Sequence, residues 1–144
     1  MTATAITHHY QQVLTIPTRG KSIQRFTQQV QQVVQAAGLQ TGLCTVFIRH
    51  TSASLIIQEN ADPDVLVDLA TFLAQLVPDG HHYVHSAEGP DDMPAHIRSV
   101  LTSTSETIPI VQGRLALGTW QGIYLWEHRD RGQAREVVVH LVGS

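Results

Sequence analysis

The sequence predicts an α+β fold in one domain, residues 1–144, with antiparallel-rich, sandwich-like sheets carrying two or three helices. Three observations point to it. Segments 22–37 and 62–77 repeat apolar residues at helical spacing. Everything after Glu106 falls into short apolar or alternating runs between Gly, Arg and Asp-rich turns. The 144 residues suit a single core, because a chain of this size buries roughly 68–70% of its unfolded surface.

In chain order, ITHHYQQVLTI alternates, placing Ile6, His8, Tyr10, Gln12, Leu14 and Ile16 on one strand face. Pro17 and Gly20 break that pattern. Ser22 is a candidate helix cap, and Ile23, Phe26, Val30, Val33, Val34 and Ala37 then follow helical spacing until Gly38 stops the helix. GLCTVFIRH reads as a largely buried strand and SLIIQE as a second, with a bend near Thr51 and Ser52. Asp62 caps the next helix, Pro63 suits its first position, and Val65, Leu66, Leu69, Phe72, Leu73 and Leu76 form its expected buried face.

The segment DGHHYVHSAEGPDD carries too much turn chemistry to be core. Asp92 is expected to cap a short helix, MPAHIRSVLTS, whose Pro94 loses no useful donor in the first turn. ETIPIV, RLALG, WQGIYLWEH and AREVVVHLV follow as strands. The last is apolar on both faces and calls for cover on both.

The totals narrow the function classes. Net charge is -3, charged residues are 15%, and no basic run is present, which argues against nucleic acid as a partner. No apolar stretch reaches about 18 residues and the polar start lacks a signal-peptide core, so a cytoplasmic protein without a membrane partner is expected. The single cysteine, Cys44, sits in an apolar run and reads as a small buried hydrophobe. Nine histidines match Lys and Arg together, and imidazole is both the commonest metal ligand and the usual proton carrier near neutral pH.

Three segments hold the candidate site residues. In HTSASLIIQENADPD, His50 ends a strand, and Thr51, Ser52 and Ser54 supply hydroxyls and a turn rich in backbone N–H groups. Asn60 has no structural reason to precede the cap, so it is a pocket candidate. In YVHSAEGPDDMPAHIRSVL, capping by Asp92 puts His96 in the first helical turn, and the loop residue His85 can fold back toward both. In the third segment Arg114 sits beside a turn, Trp120 offers a wall and Gln121 an amide, while Glu127, His128 and Arg129 read as strand-end solvation. His81 and His82 are expected in solvent.

If His50, His85 and His96 meet, three imidazoles without cysteine suit Zn²⁺ or a similar divalent ion, with one position left for water or substrate. Asp92 or Glu88 would then orient a ligand's second nitrogen. Without metal, the same cluster suits acid–base chemistry. The competing account is structural: a Ser/Thr turn, a polar loop and a capped helix.

HTSASLIIQENADPDV, the YVH and EGPDDMPAHI block, and IPI followed by GRLALGTWQGIYLWEHR together resemble the YjbQ-type family, whose members are described as secondary thiamine-phosphate synthases. The resemblance runs from the first strand to the last, and its specificity lies in the order and spacing of the three blocks. It implies a compact fold of sandwiched sheets, a homotrimer, and a polar cluster of His50, Asn60, Asp62, His85, Asp92 and His96 with Trp120 and Gln121 nearby. His81–His82 and Gln58 depart from the pattern outside that cluster.

The implied reaction joins hydroxymethylpyrimidine diphosphate to thiazole phosphate and releases pyrophosphate. That chemistry needs a divalent cation, Zn²⁺ or Mg²⁺, and basic or N–H donors for the leaving diphosphate. The chain has one lysine, Lys21, and scattered arginines, of which Arg49 and Arg114 are candidates. Three readings therefore stand: a synthase of this kind, a metal-dependent hydrolase on a small metabolite, and a non-catalytic metal- or metabolite-binding trimer.

Overall fold

In a computed structural model, residue 5 and residues 8–144 are described. Ile6, expected on the first strand, lies outside them. The chain forms β1 (His8–Pro17), β2 (Ser22–Arg25), α1 (Thr27–Ala37), β3 (Thr41–Ile48), β4 (Ala53–Glu59) and α2 (Pro63–Leu76). It continues with α3 (Asp92–Leu101), β5 (Ser105–Val111), β6 (Arg114–Leu115), β7 (Gln121–Glu127) and β8 (Ala134–Gly143). One sheet has the order β1-β8-β3-β5-β6 and the other β2-β7-β4, with every pairing antiparallel.

The two inner faces pack on each other. Val46, Ile48, Ile108, Val137 and Val139 of the large sheet share a core with Leu55, Ile123 and Leu125 of the small one. Val30, Val33 and Val34 of α1 join the same core, as their spacing predicts. Gly38 ends α1 with φ 69°, a left-handed geometry that a side chain would resist. The outer face of the small sheet meets α2 and α3, where Leu73, Val77 and Trp126 form a second cluster. β7 is therefore covered on both sides. β8 is not: Val138 and Val142 on its outer face are only half-buried.

Two expectations about helices are corrected. Ser22 does not cap α1. Residues 22–25 pair with β7, Ile23 opposite Trp126, and the Ser22 hydroxyl donates to the Arg19 carbonyl. Ile23 and Phe26 fit helical spacing, but pairing with β7 engages four residues in a ladder on their inward side. The face of α2 is also narrower than expected. Leu73 is buried and Leu69 packs beside it, while Phe72 and Leu76 are 64% and 58% exposed, because the helix touches the small sheet along one line only.

The start of α2 matches expectation: the Asp62 side chain accepts from Asp64 N–H at 3.0 Å and Pro63 opens the helix. Asp62→Ala is expected to lower stability by about 1 kcal/mol, read from urea unfolding at neutral pH. Cys44 is fully buried, and burial pushes its thiol up to about 12. No helix among the described residues is long and apolar enough to cross a membrane.

Candidate metal centre

The loop between α2 and α3 is tied down by charge. Arg98 of α3 donates to the Val77 carbonyl and to Asp79, and Lys21 pairs with Asp79 and Asp130. This anchoring brings His85 back over the start of α3. Asp92 is the first residue of that helix rather than its cap; Asp91 occupies the cap position without a side-chain cap bond. The correction has a physical reason, because both carboxylates have a stronger partner than a helix N–H. Arg129 donates through Nε to Asp91 at 2.9 Å, through Nη1 to Asp92 Oδ1 at 2.7 Å and through Nη2 to the Glu88 carbonyl at 3.0 Å.

With Oδ1 held by Arg129, Asp92 Oδ2 faces two imidazoles. His85 Nε2 lies 2.5 Å from it and His96 Nε2 3.3 Å, with the two ring centroids 5.6 Å apart. Asp92 is buried, whereas both rings reach solvent. Glu88 Oε2 adds a second carboxylate 3.5 Å from His85 Nε2. Burial opposes charge on Asp92. Hydrogen bonding with His85 and Glu88 and the Arg129 and His96 charges outweigh it, holding the carboxyl below the usual carboxylate range.

His96 Nδ1 lies 2.9 Å from the Thr51 carbonyl. A carbonyl only accepts, so Nδ1 carries the proton and the neutral ring's lone pair sits on Nε2. That lone pair meets Asp92 Oδ2, an acceptor, at 3.3 Å. Two acceptors at this range repel. A proton on Nε2, or a cation among the three atoms, relieves the repulsion. The three candidate ligand atoms lie within 4.8 Å of one another, and a tetrahedral ion with bonds of about 2.0–2.1 Å spaces its ligands by about 3.3 Å. The donor set fits one divalent ion.

The expected trio of imidazoles does not form. His50 is outside the group and Asp92 takes the third place. Glu136 N–H donates to His50 Nε2 at 2.8 Å, so Nδ1 carries the proton, and Arg135 Nη1 stands 3.3 Å from it. Burial, then the Arg135 charge, lowers the His50 pKa below its ordinary value. His50 instead shares a cavity of about 180 Å³ with His96, Thr51, Ser99, Val100 and Thr104. Thr51 acts through its carbonyl, which orients His96 in the place expected for a carboxylate. Ser52 is buried, its hydroxyl and carbonyl both taken by Arg135.

The other end of β4 opens elsewhere. Seven extended residues at about 3.3 Å each separate the two ends by roughly 23 Å. Asn60 and Asp62 line a different cavity, about 230 Å³, with Arg25, Glu59, Leu66 and Tyr124. The Asn60 amide donates to the Thr119 and Gln121 carbonyls. Trp120 beside it is 64% exposed, and the Gln121 side chain accepts from Gly118 N–H. Arg114 lies on the β5–β6 turn, lining neither cavity. The two ends of β4 therefore open on separate hollows where one was expected, because a straight strand cannot bring its own ends together.

Arg129 is the residue that sequence reasoning missed. Its signal was indirect: Glu88, Asp91 and Asp92 concentrate negative charge, and the two aspartates, once buried, need a cation to balance them.

Comparison with known families matches residues 12–144 to the family described as UPF0047 protein YjbQ-like. The chain belongs to that family. Among YjbQ-like relatives, UPF0047 protein sll1880 of Synechocystis is 65% identical over 145 residues, covering all of this chain and 99% of its own. UPF0047 protein YjbQ of Escherichia coli O157:H7 is 40% identical, over 94% of this chain and 99% of its own. An uncharacterised YjbQ/UPF0047 protein from Clostridium acetobutylicum superposes with a TM-score of 0.81 at 35% identity, over 94% of this chain and 99% of its own. A YbjQ-like protein of unknown function from Sulfolobus solfataricus P2 has a TM-score of 0.88 at 23% identity, over 95% and 99%, and shares the fold. The YjbQ-like fold thus carries the His85–Asp92–His96 group here at a loop–helix junction beside the end of β3.

Proposed function

We propose that the protein is a divalent-cation-dependent enzyme that hydrolyses a small metabolite, with the cation held by His85, Asp92 and His96. One observation carries this reading: two imidazole Nε2 atoms address one oxygen of a buried carboxylate, while the far nitrogen of His96 is committed to the Thr51 carbonyl. Two nitrogens and one oxygen suit a first-row ion such as Zn²⁺ better than Mg²⁺, which takes oxygen ligands. When bound, such an ion supplies Lewis acidity and lowers the pKa of a coordinated water.

The residues around it have separable tasks. The cavity beside His96 takes the substrate, with His50 as a neutral wall and Thr51 and Thr104 offering hydroxyls. Glu88, exposed and close to His85, is placed to accept a proton from a water entering the centre. Thiamine-phosphate synthesis, the activity implied by the resemblance, asks for a diphosphate cradle. Lys21 pairs with Asp79 and Asp130, and Arg49 with Glu136, so the surroundings of His96 favour hydrolysis of a less charged compound.

The test measures metal by elemental analysis in protein purified without added metal, beside His85→Ala, Asp92→Ala and His96→Ala. About one ion per chain in the parent and large loss in each variant is expected, with hydrolysis of small esters, amides or phosphates falling in parallel. Equal metal content in all four proteins removes the reading. Turnover of the two thiamine precursors with Mg²⁺, lost in His96→Ala, would favour the synthase instead.

A further inference from the structure

We propose that Arg129 is a specificity-determining positioning residue of the His85–Asp92–His96 centre: by occupying Asp92 Oδ1 it leaves the carboxylate one oxygen to offer, so the centre selects Zn²⁺-like ions over larger, oxygen-seeking ones. The inference rests on the cation reading above. An unrestrained carboxylate can chelate a large cation through both oxygens, as in calcium sites with six to eight oxygen ligands. Here that mode is closed. Arg129 Nη1 sits 2.7 Å from Oδ1, and the Asp92 side chain is only 2% exposed, leaving no solvent for the carboxylate to turn into.

The guanidinium is itself fixed from three sides. Asp91 Oδ2 accepts from Arg129 Nε and also from Asp130 N–H, both at 2.9 Å, and the Glu88 carbonyl accepts from Nη2. The Arg129 backbone N–H donates to Glu127 Oε2 at 3.2 Å, joining the site to the end of β7. A planar fork meeting three acceptors of the 88–92 segment sets the direction of Oδ2, not merely its charge. Lysine at this position keeps the charge and loses the direction.

The experiment compares Zn²⁺ and Mn²⁺ affinity, by competition with a chromogenic chelator, in the parent, Arg129→Gln and Arg129→Lys proteins. Visible spectra of the Co²⁺-loaded forms report coordination number. Loss of an orienting partner typically weakens metal binding by about 10–100-fold, and that is expected for Zn²⁺ in Arg129→Gln. Mn²⁺, which tolerates a two-oxygen carboxylate, is expected to weaken much less, so the Zn²⁺:Mn²⁺ preference falls. The Co²⁺ bands should weaken toward those of a higher-coordinate ion, with Arg129→Lys intermediate.

Equal weakening of both ions, with preference and Co²⁺ spectrum unchanged, overturns the inference and leaves the centre standing. A parent protein that binds neither ion overturns the cation reading itself. Should Arg129→Gln not fold, Asp91→Asn removes one anchor of the fork and leaves the Arg129–Asp92 contact. It is expected to shift the preference in the same direction by less, and an unchanged preference in both it and Arg129→Lys again overturns the inference.

Discussion

Arg135→Met is expected to destabilise the protein by about 3–5 kcal/mol, because it strands a buried carboxylate without its counter-charge. Arg135 and Glu127 have side chains 2% and 0% exposed. Arg135 Nε donates to Glu127 Oε1 at 2.8 Å and Nη2 to Oε2. The same guanidinium donates to the Ser52 hydroxyl and carbonyl, fixing the turn whose next carbonyl back, Thr51, orients His96. On the proposed cation reading, the loss should also reach the His85–Asp92–His96 group as weaker Zn²⁺ binding in whatever fraction remains folded. Urea unfolding followed by tryptophan fluorescence gives the stability change. The double variant Glu127→Leu/Arg135→Met should recover part of it, since removing both charges leaves neither unpaired. A change under about 1 kcal/mol in the single variant would mean that water reaches Glu127 and that the pair is not a structural hinge.

The second large effect is acid sensitivity at His128. Burial first, then the Arg98 and Arg135 charges, push this imidazole down to about 3. Its Nε2 shares a hydrogen bond with the Ser54 hydroxyl at 2.8 Å, and the ring packs beside Trp126. In the unfolded chain it titrates near pH 6.5. Below that pH the unfolded state takes up a proton that the folded state refuses. Stability is thus whole above about pH 6.5 and declines as pH falls toward about 3, at up to about 1.4 kcal/mol per pH unit. His50, also lowered, adds to the same trend. His128→Gln should remove the larger share of the slope between pH 6.5 and 5, above the range where Asp91 and Asp92 begin to protonate in the unfolded chain. An undiminished slope would assign the acid sensitivity to other groups. Parallel urea titrations of the two proteins at half-unit pH steps provide the comparison.

Some of the site was legible before the fold. His85, Asp92 and His96 came from one short segment because the i,i+4 spacing of Asp92 and His96 on a helix is a local fact, and a loop that separates His85 from Asp92 by seven positions lets His85 return. Asp62 and Gly38 were legible for the same reason, since caps are written within three or four residues. The errors share a cause as well. Ser22 looked like a cap until β7 offered its edge, and Asp92 looked like one until Arg129 supplied a better donor. His50 and Asn60 looked like neighbours in a block of sequence, yet the strand between them is a rigid spacer.

By itself the sequence determined most of the element types, residues 22–25 aside, two of the helix boundaries and the segment that houses the His85–Asp92–His96 group, because periodicity, caps and turn residues act over one or two turns of chain. The tertiary structure alone decided that Arg129 grips Asp92 across 37 positions, that Thr51 orients His96 across 45, and that His50 turns toward Glu136. Such partners are chosen by which donor and acceptor the packed sheets bring within about 3 Å of each other, and no spacing within the chain encodes that distance.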